Sequence, residues 1–162
     1  MNQNERNAMI EEYRHGYDLF AAVLAEIPHE AWEFKPALQE WSVHELIIHM
    51  KDSTYMGVIR LHKLIAEPGS TLMPYAEDKW SEALNYHTQE MEDALQIFRL
   101  ILKTTYHLLQ TLPKQVFTHS VIHPEWNEPY TFDDWFNIYI SHVSDHIRQL
   151  EQIHTAWKAR NR

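Results

Sequence analysis

Apolar residues recur every three or four positions along four long stretches of this chain, the period of a helix with one buried face. The first stretch covers about residues 4–26, where Ile10, Tyr13, Tyr17, Phe20, Leu24 and Ile27 share a stripe and Pro28 closes it. The second starts at Ser42 and continues through Val43, Leu46, Ile47, Met50, Gly57, Val58, Leu61 and Leu64 until EPGS at 67–70 breaks it. Ser42 is a good N-cap, and Glu45 three residues on completes a capping box. The third is predicted to begin near Ala76–Trp80 and to run to Thr111. Its stripe is Leu84, Met91, Leu95, Phe98, Leu102, Leu109 and Leu112, and Pro113 ends it. The fourth opens with Thr131 as cap and Asp133 and Asp134 near its positive end. It carries Phe132, Phe136, Tyr139, Val143, Leu150, Ile153 and Trp157, and runs to about Ala159.

Between these stretches lie three connections. Residues 28–41, PHEAWEFKPALQEW, read as an irregular loop anchored by Trp32, Phe34 and Trp41. The connection from 113 to 130 is long for a bundle, and loops of that length are often functional. No segment shows the alternation of a strand. Four amphipathic helices of roughly 20–30 residues therefore predict an all-α fold, an up-down four-helix bundle with a long connection before the last helix. No repeat or linker divides the chain, so residues 1–162 are expected to form one domain.

Composition narrows the chemistry. With 3 glycines and 7 prolines there is little material for many tight turns, which argues against an all-β domain. The absence of cysteine removes disulfides, thiolate metal sites and a cysteine nucleophile together, so any metal must be held by imidazole and carboxylate. A net charge of −9, with scattered Lys and Arg, argues against nucleic-acid binding. No apolar run reaches the roughly 18 residues of a membrane span, and MNQNERNAMIEEYR does not resemble a signal peptide. A cytoplasmic location is the expectation.

The candidate chemistry lies on the fourth helix. His142 and His146 are one turn apart and can share one metal ion. His146 fills the slot that the apolar stripe skips, and His142 lies one position off it. Imidazoles aimed at a core need partners for their nitrogens. On the second helix His49, three residues after Leu46, sits at the edge of the buried stripe. If it faces the other two, three imidazoles converge and leave positions open for water or substrate, the arrangement of a catalytic ion. Imidazole suits Zn, Ni, Fe and Cu alike. An HxxxH pair also occurs by chance on many helices, and periodicity does not establish convergence with His49. Nucleophilic catalysis by Ser141 or Ser144 has no supporting glycine-rich elbow, and the three glycines are too far apart for a phosphate loop.

The run WSVHELIIHMKDS (41–53), with WEFKP before it, and the run HVSDHIRQLEQI (142–153) resemble the two signatures of the DinB-like superfamily, in order and at similar spacing. The resemblance covers essentially the whole chain. It implies a four-helix bundle, commonly homodimeric, with one divalent metal held by His49, His142 and His146. Zn or Ni is the expected ion. Relatives of this kind include thiol S-transferases that use bacillithiol or mycothiol, metal-dependent hydrolases, isomerases and damage-inducible proteins of unknown activity.

Transfer of a low-molecular-weight thiol to an electrophile is the leading expectation, because a cysteine-free chain needs an external thiol. The substrate is expected in the open end near the 113–130 loop. Hydrolysis of small amides or esters is the alternative, followed by a non-catalytic metal-binding stress module and a bundle that serves only to oligomerise. Gln149 and Asp52, each three residues after a candidate ligand, are placed to orient an imidazole; a packed amide and a surface aspartate are the plainer readings. His123 is expected at the surface and His87 in the core or at its boundary. Trp41, Trp126 and Trp135 are read as anchors, or as an apolar wall beside the metal.

Overall fold

The computed structural model describes residues 1–161. Four long helices, α1 (Gln3–Ala25), α2 (Val43–Ala66), α4 (Met91–Thr111) and α5 (Phe132–Arg160), form the bundle, and a short α3 (Glu77–Ala83) precedes α4. Asn2, Ser42 and Thr131 each open a helix with a complete capping box, closed by Glu5, Glu45 and Asp134. Each such cap satisfies amides that a helix start leaves bare, and is worth about 1 kcal/mol.

The predicted stripes become the core. Ile10, Tyr13, Phe20 and Leu24 of α1, Phe98, Leu102 and Leu109 of α4, and Phe132, Phe136, Tyr139, Val143, Leu150 and Ile153 of α5 are all buried. The beginning of α2 goes further than its stripe. Every residue from Val43 to Met50 is buried, because the 26–42 loop and the 67–90 segment wrap the faces that the bundle leaves free.

Each of α1 and α2 packs against both α4 and α5, so α1 and α2 lie across a diagonal, as do α4 and α5. Contacts give the directions. Gly16 sits beside Leu102, and Phe20 meets Phe98 edge to face, so α1 and α4 run antiparallel. The terminal amine of Met1 reaches Asp133 and Gly16 lies beside Val143, so α1 and α5 run parallel. The up-down alternation holds for α1–α2 and for α4–α5. Between α2 and α4 the direction repeats, because residues 67–90 travel back along the bundle. His44 near the start of α2 meets Gln89 just before α4, and the Leu64 carbonyl near its end meets His119 just after α4.

That return path corrects the third predicted helix. Instead of one helix from 76 to 111 there are α3 and α4, separated at Asn85, which adopts φ 49°. Asn tolerates this left-handed conformation better than most residues. The break turns the chain inward so that Tyr86 is fully buried and Gln89 bonds both His44 and Lys51. Leu84, expected in the buried stripe, and His87, expected in the core or at its boundary, are exposed as a result.

The 113–130 connection also holds more order than its sequence suggested. A 3-10 turn at Lys114–Thr118 leads into an antiparallel pair, β1 (Ser120–Ile122) and β2 (Pro129–Thr131). Val121 and Tyr130 face each other across it, both buried. Strands of three residues are too short to show alternation. His123, expected at the surface, is 6% exposed, stacked on Trp126 with Nδ1 accepting from the Glu125 amide.

No helix among the described residues is long and apolar enough to cross a membrane.

Candidate metal centre

The register of α2 against α5 is set at Gly57. Its carbonyl accepts a 2.8 Å hydrogen bond from the Trp135 indole, and the Tyr139 ring lies where a Cβ would be. His49 is eight residues before Gly57, about 12 Å along α2. The antiparallel α5 carries His142 and His146 past that point.

The three rings converge through their Nε2 atoms. His49 to His142 is 3.1 Å, His49 to His146 is 3.1 Å, and His142 to His146 is 3.0 Å. The group His49, His142 and His146 thus has the compactness of a metal cluster. Burial, with His142 and His146 adding, pushes His49 down to about 2. Burial and then His146 push His142 down to about 3, and burial also lowers His146. All three are neutral at pH 7. Mutual N–H···N bonds cannot satisfy three neutral nitrogens that point at one another, since lone pairs are left facing lone pairs. A cation between them removes that conflict. Nitrogens bound at about 2.0–2.1 Å to a tetrahedral ion lie about 3.3–3.4 Å apart, close to the spacing here. The donor set fits a divalent ion of imidazole preference.

The surroundings divide the supporting candidates. Gln149 Oε1 accepts a 2.9 Å hydrogen bond from His146 Nδ1, so Nδ1 carries the proton and Nε2 is left free as a ligand. Asp52 does not do this for His49. It pairs with Lys51 at 3.1 Å, while His49 Nδ1 is buried without a partner. Trp41 is the apolar wall: its ring lies 4.4 Å from that of His49 and stacks on His146.

Residues 67–90 supply side chains that periodicity could not have found, because they lie outside any long helix. Glu77 Oε2 is 3.9 Å from His49 Nε2. Tyr75 Oη, Tyr86 Oη and Asp52 Oδ2 are buried with no hydrogen-bond partner. Burial first, then Asp52 and Glu77, push the Tyr75 phenol up to about 12, and burial with Asp52 and Tyr75 raises Tyr86 as well. Tyr75, Tyr86, Asp52 and Glu77 thus form one small polar group, of which Glu77 is the member that reaches His49. His44, unassigned from sequence, pins this segment: its Nδ1 bonds Glu33 at 2.7 Å and its Nε2 bonds the Gln89 carbonyl at 2.8 Å.

Two surface hollows flank Trp41. One of about 650 Å³ lies between the 35–45 stretch and α3, and one of about 510 Å³ includes Gln149 and Asp145. Neither the 113–130 connection nor any of the three histidines lines these two hollows.

The family model of the DinB superfamily matches residues 12–150. The candidate metal-dependent hydrolase YfiT of Bacillus subtilis is 26% identical over 113 residues, 70% of this chain and 64% of that protein. A relative from Oceanobacillus iheyensis, named in the same way, is 26% identical with the same coverage. The aligned stretch thus spans just under two thirds of these relatives. The solved structure of Bacillus subtilis YfiT, reported as an unusual four-helix bundle topology, superposes with a TM-score of 0.86 at 20% identity, covering 94% of this chain and 87% of that one. Likeness at that identity speaks for the fold. With the family model covering most of the chain and the bundle in place, this chain belongs to the DinB superfamily.

Proposed function

We propose that this protein is a divalent-metal-dependent enzyme that activates a small external nucleophile at His49, His142 and His146. One observation carries the reading: three neutral imidazole nitrogens, one on a buried ring and two on half-buried rings, meet within 3.1 Å of one another with no acid to satisfy them at that distance. One ion per chain, zinc or nickel, is the expected cofactor. When bound, such an ion supplies Lewis acidity that lowers the pKa of a water or thiol beside it. The chain's own residues prepare the place. His49 and the α5 pair present lone pairs, Gln149 holds His146 in the tautomer that leaves Nε2 free, and Trp41 keeps bulk water off the ring faces.

Transfer of a low-molecular-weight thiol such as bacillithiol to an electrophile is the first reaction to test, because the chain has no cysteine of its own to act as nucleophile. Hydrolysis of small esters or amides is the second reading, favoured by the names of the relatives. A homodimer in the cytoplasm is the expected setting.

Metal analysis of untagged protein should find close to one divalent ion per chain in wild type and little in His49→Ala. A metal-free wild type that gains no stability from zinc or nickel would overturn the proposal. Turnover with thiol plus electrophile, set against turnover of esters and amides, separates the two reactions. Bound metal with neither activity would point instead to a binding module.

A further inference from the structure

The three histidines come from two helices, and the group that faces them from the 67–90 segment is a carboxylate. Glu77, the first residue of α3, places Oε2 3.9 Å from His49 Nε2. Among the described residues no other carboxylate lies as close to a nitrogen of the three rings, and no lysine or arginine pairs with Glu77. The segment is pinned at both ends. Near its start, the Gly69 amide donates to the Ser120 carbonyl and the Leu72 amide to Ile122. Near its end, Gln89 bonds His44 and Lys51. Glu77 is therefore held over the histidines by structure on either side of it, while its own side chain remains 54% exposed and free to swing. It stands just outside the compact cluster formed by the three nitrogens. The 3.9 Å separation exceeds by roughly half an ångström the edge expected between two ligands of one tetrahedral ion.

From this geometry we propose that Glu77 is a fourth protein ligand, closing onto the ion held by His49, His142 and His146. The inference rests on the three-histidine reading of the site. It fits the chemistry of the donor set: a carboxylate oxygen is an ordinary ligand for zinc beside imidazoles, and it compensates part of the ion's charge that three neutral rings leave intact.

Untagged wild type, Glu77→Gln and Asp78→Asn, each stripped of metal and titrated with cobalt and zinc against a chelator of known affinity, test the assignment. All three should bind one ion per chain. Glu77→Gln should bind at least as much more weakly as loss of a ligand-orienting group causes, about ten-fold or more, with a visible cobalt spectrum altered in position or intensity. Asp78→Asn should match wild type in both. Wild-type affinity and an unchanged spectrum in Glu77→Gln would overturn the assignment while leaving the three-histidine site standing. Equal weakening in Asp78→Asn would also overturn it, by showing that the effect is general charge and not ligation. If wild type binds no ion, or His49→Ala binds as well as wild type, the histidine reading itself fails and Glu77 falls with it.

Discussion

At the scale of single residues, the Nδ1 atoms of His146 and His49, two of the three outer nitrogens, are treated differently. His146 Nδ1 is bonded to Gln149, whereas His49 Nδ1 is buried without a partner and its ring is held by packing against Trp41. Orientation by hydrogen bond is thus concentrated on α5. Gln149→Ala should free the His146 ring to rotate and weaken zinc binding about ten- to a hundred-fold, with little change in the melting temperature of the metal-free protein. Competition titration checks it; undiminished affinity would show that helix geometry alone orients the ring. Asp52→Asn should leave affinity close to wild type, since Asp52 pairs with Lys51 and not with His49.

Among the elements, α2 and α5 make the site, and Gly57 fixes how they meet. A methyl group there would lie 2.6 Å from Tyr139 Cε1, on a ring that packs against Trp135 and has little room to retreat. Gly57→Ala gains about 1 kcal/mol of helix propensity, but overpacking of this kind costs about 1–3 kcal/mol. A net loss of stability is expected, with weaker metal binding, because any spreading of the helices at Gly57 is passed along to His49. Thermal melts with and without zinc measure both effects. A stabilised variant with intact affinity would refute this account of the register. The 67–90 segment is the other element that matters. It reverses the direction of the chain between α2 and α4, and in doing so covers the start of α2 and brings Glu77 to His49.

For the molecule as a whole, the buried histidines couple stability to pH. In the unfolded chain each titrates near 6.5, whereas in the folded protein His49 is pushed down to about 2 and His142 to about 3, and His146 is lowered. Below about pH 6.5 the unfolded state binds protons that the folded triad does not. The stability of the metal-free protein is therefore full above that pH and declines as pH falls toward the folded values, by about 1.4 kcal/mol per pH unit for each unmatched proton. Between about pH 7 and 5, above the range where most carboxylates titrate, the decline should be shallower in His142→Gln than in wild type. Equal slopes would assign the effect to other groups. Added zinc should compete with protons over the same window, since only neutral rings bind it.

Sequence alone determined the parts of this protein that depend on local periodicity. The stripes of Ile10 to Ile27, Val43 to Leu64 and Phe132 to Ile153, and the caps at Ser42 and Thr131, each belong to one helix, and every residue needed to recognise them is a near neighbour in the chain. The same holds for His142 and His146, whose shared face follows from a single turn of helix. What only the tertiary structure decided involves residues distant in sequence or segments too short to be periodic. The break at Asn85 is set by where Tyr86 and Gln89 must land on α2, not by the propensity of residues 76–111. The strands at 120–122 and 129–131 exist only through their pairing with each other. The meeting of His49 with the α5 pair depends on the register set at Gly57, and the approach of Glu77 depends on a chain return that no local pattern encodes.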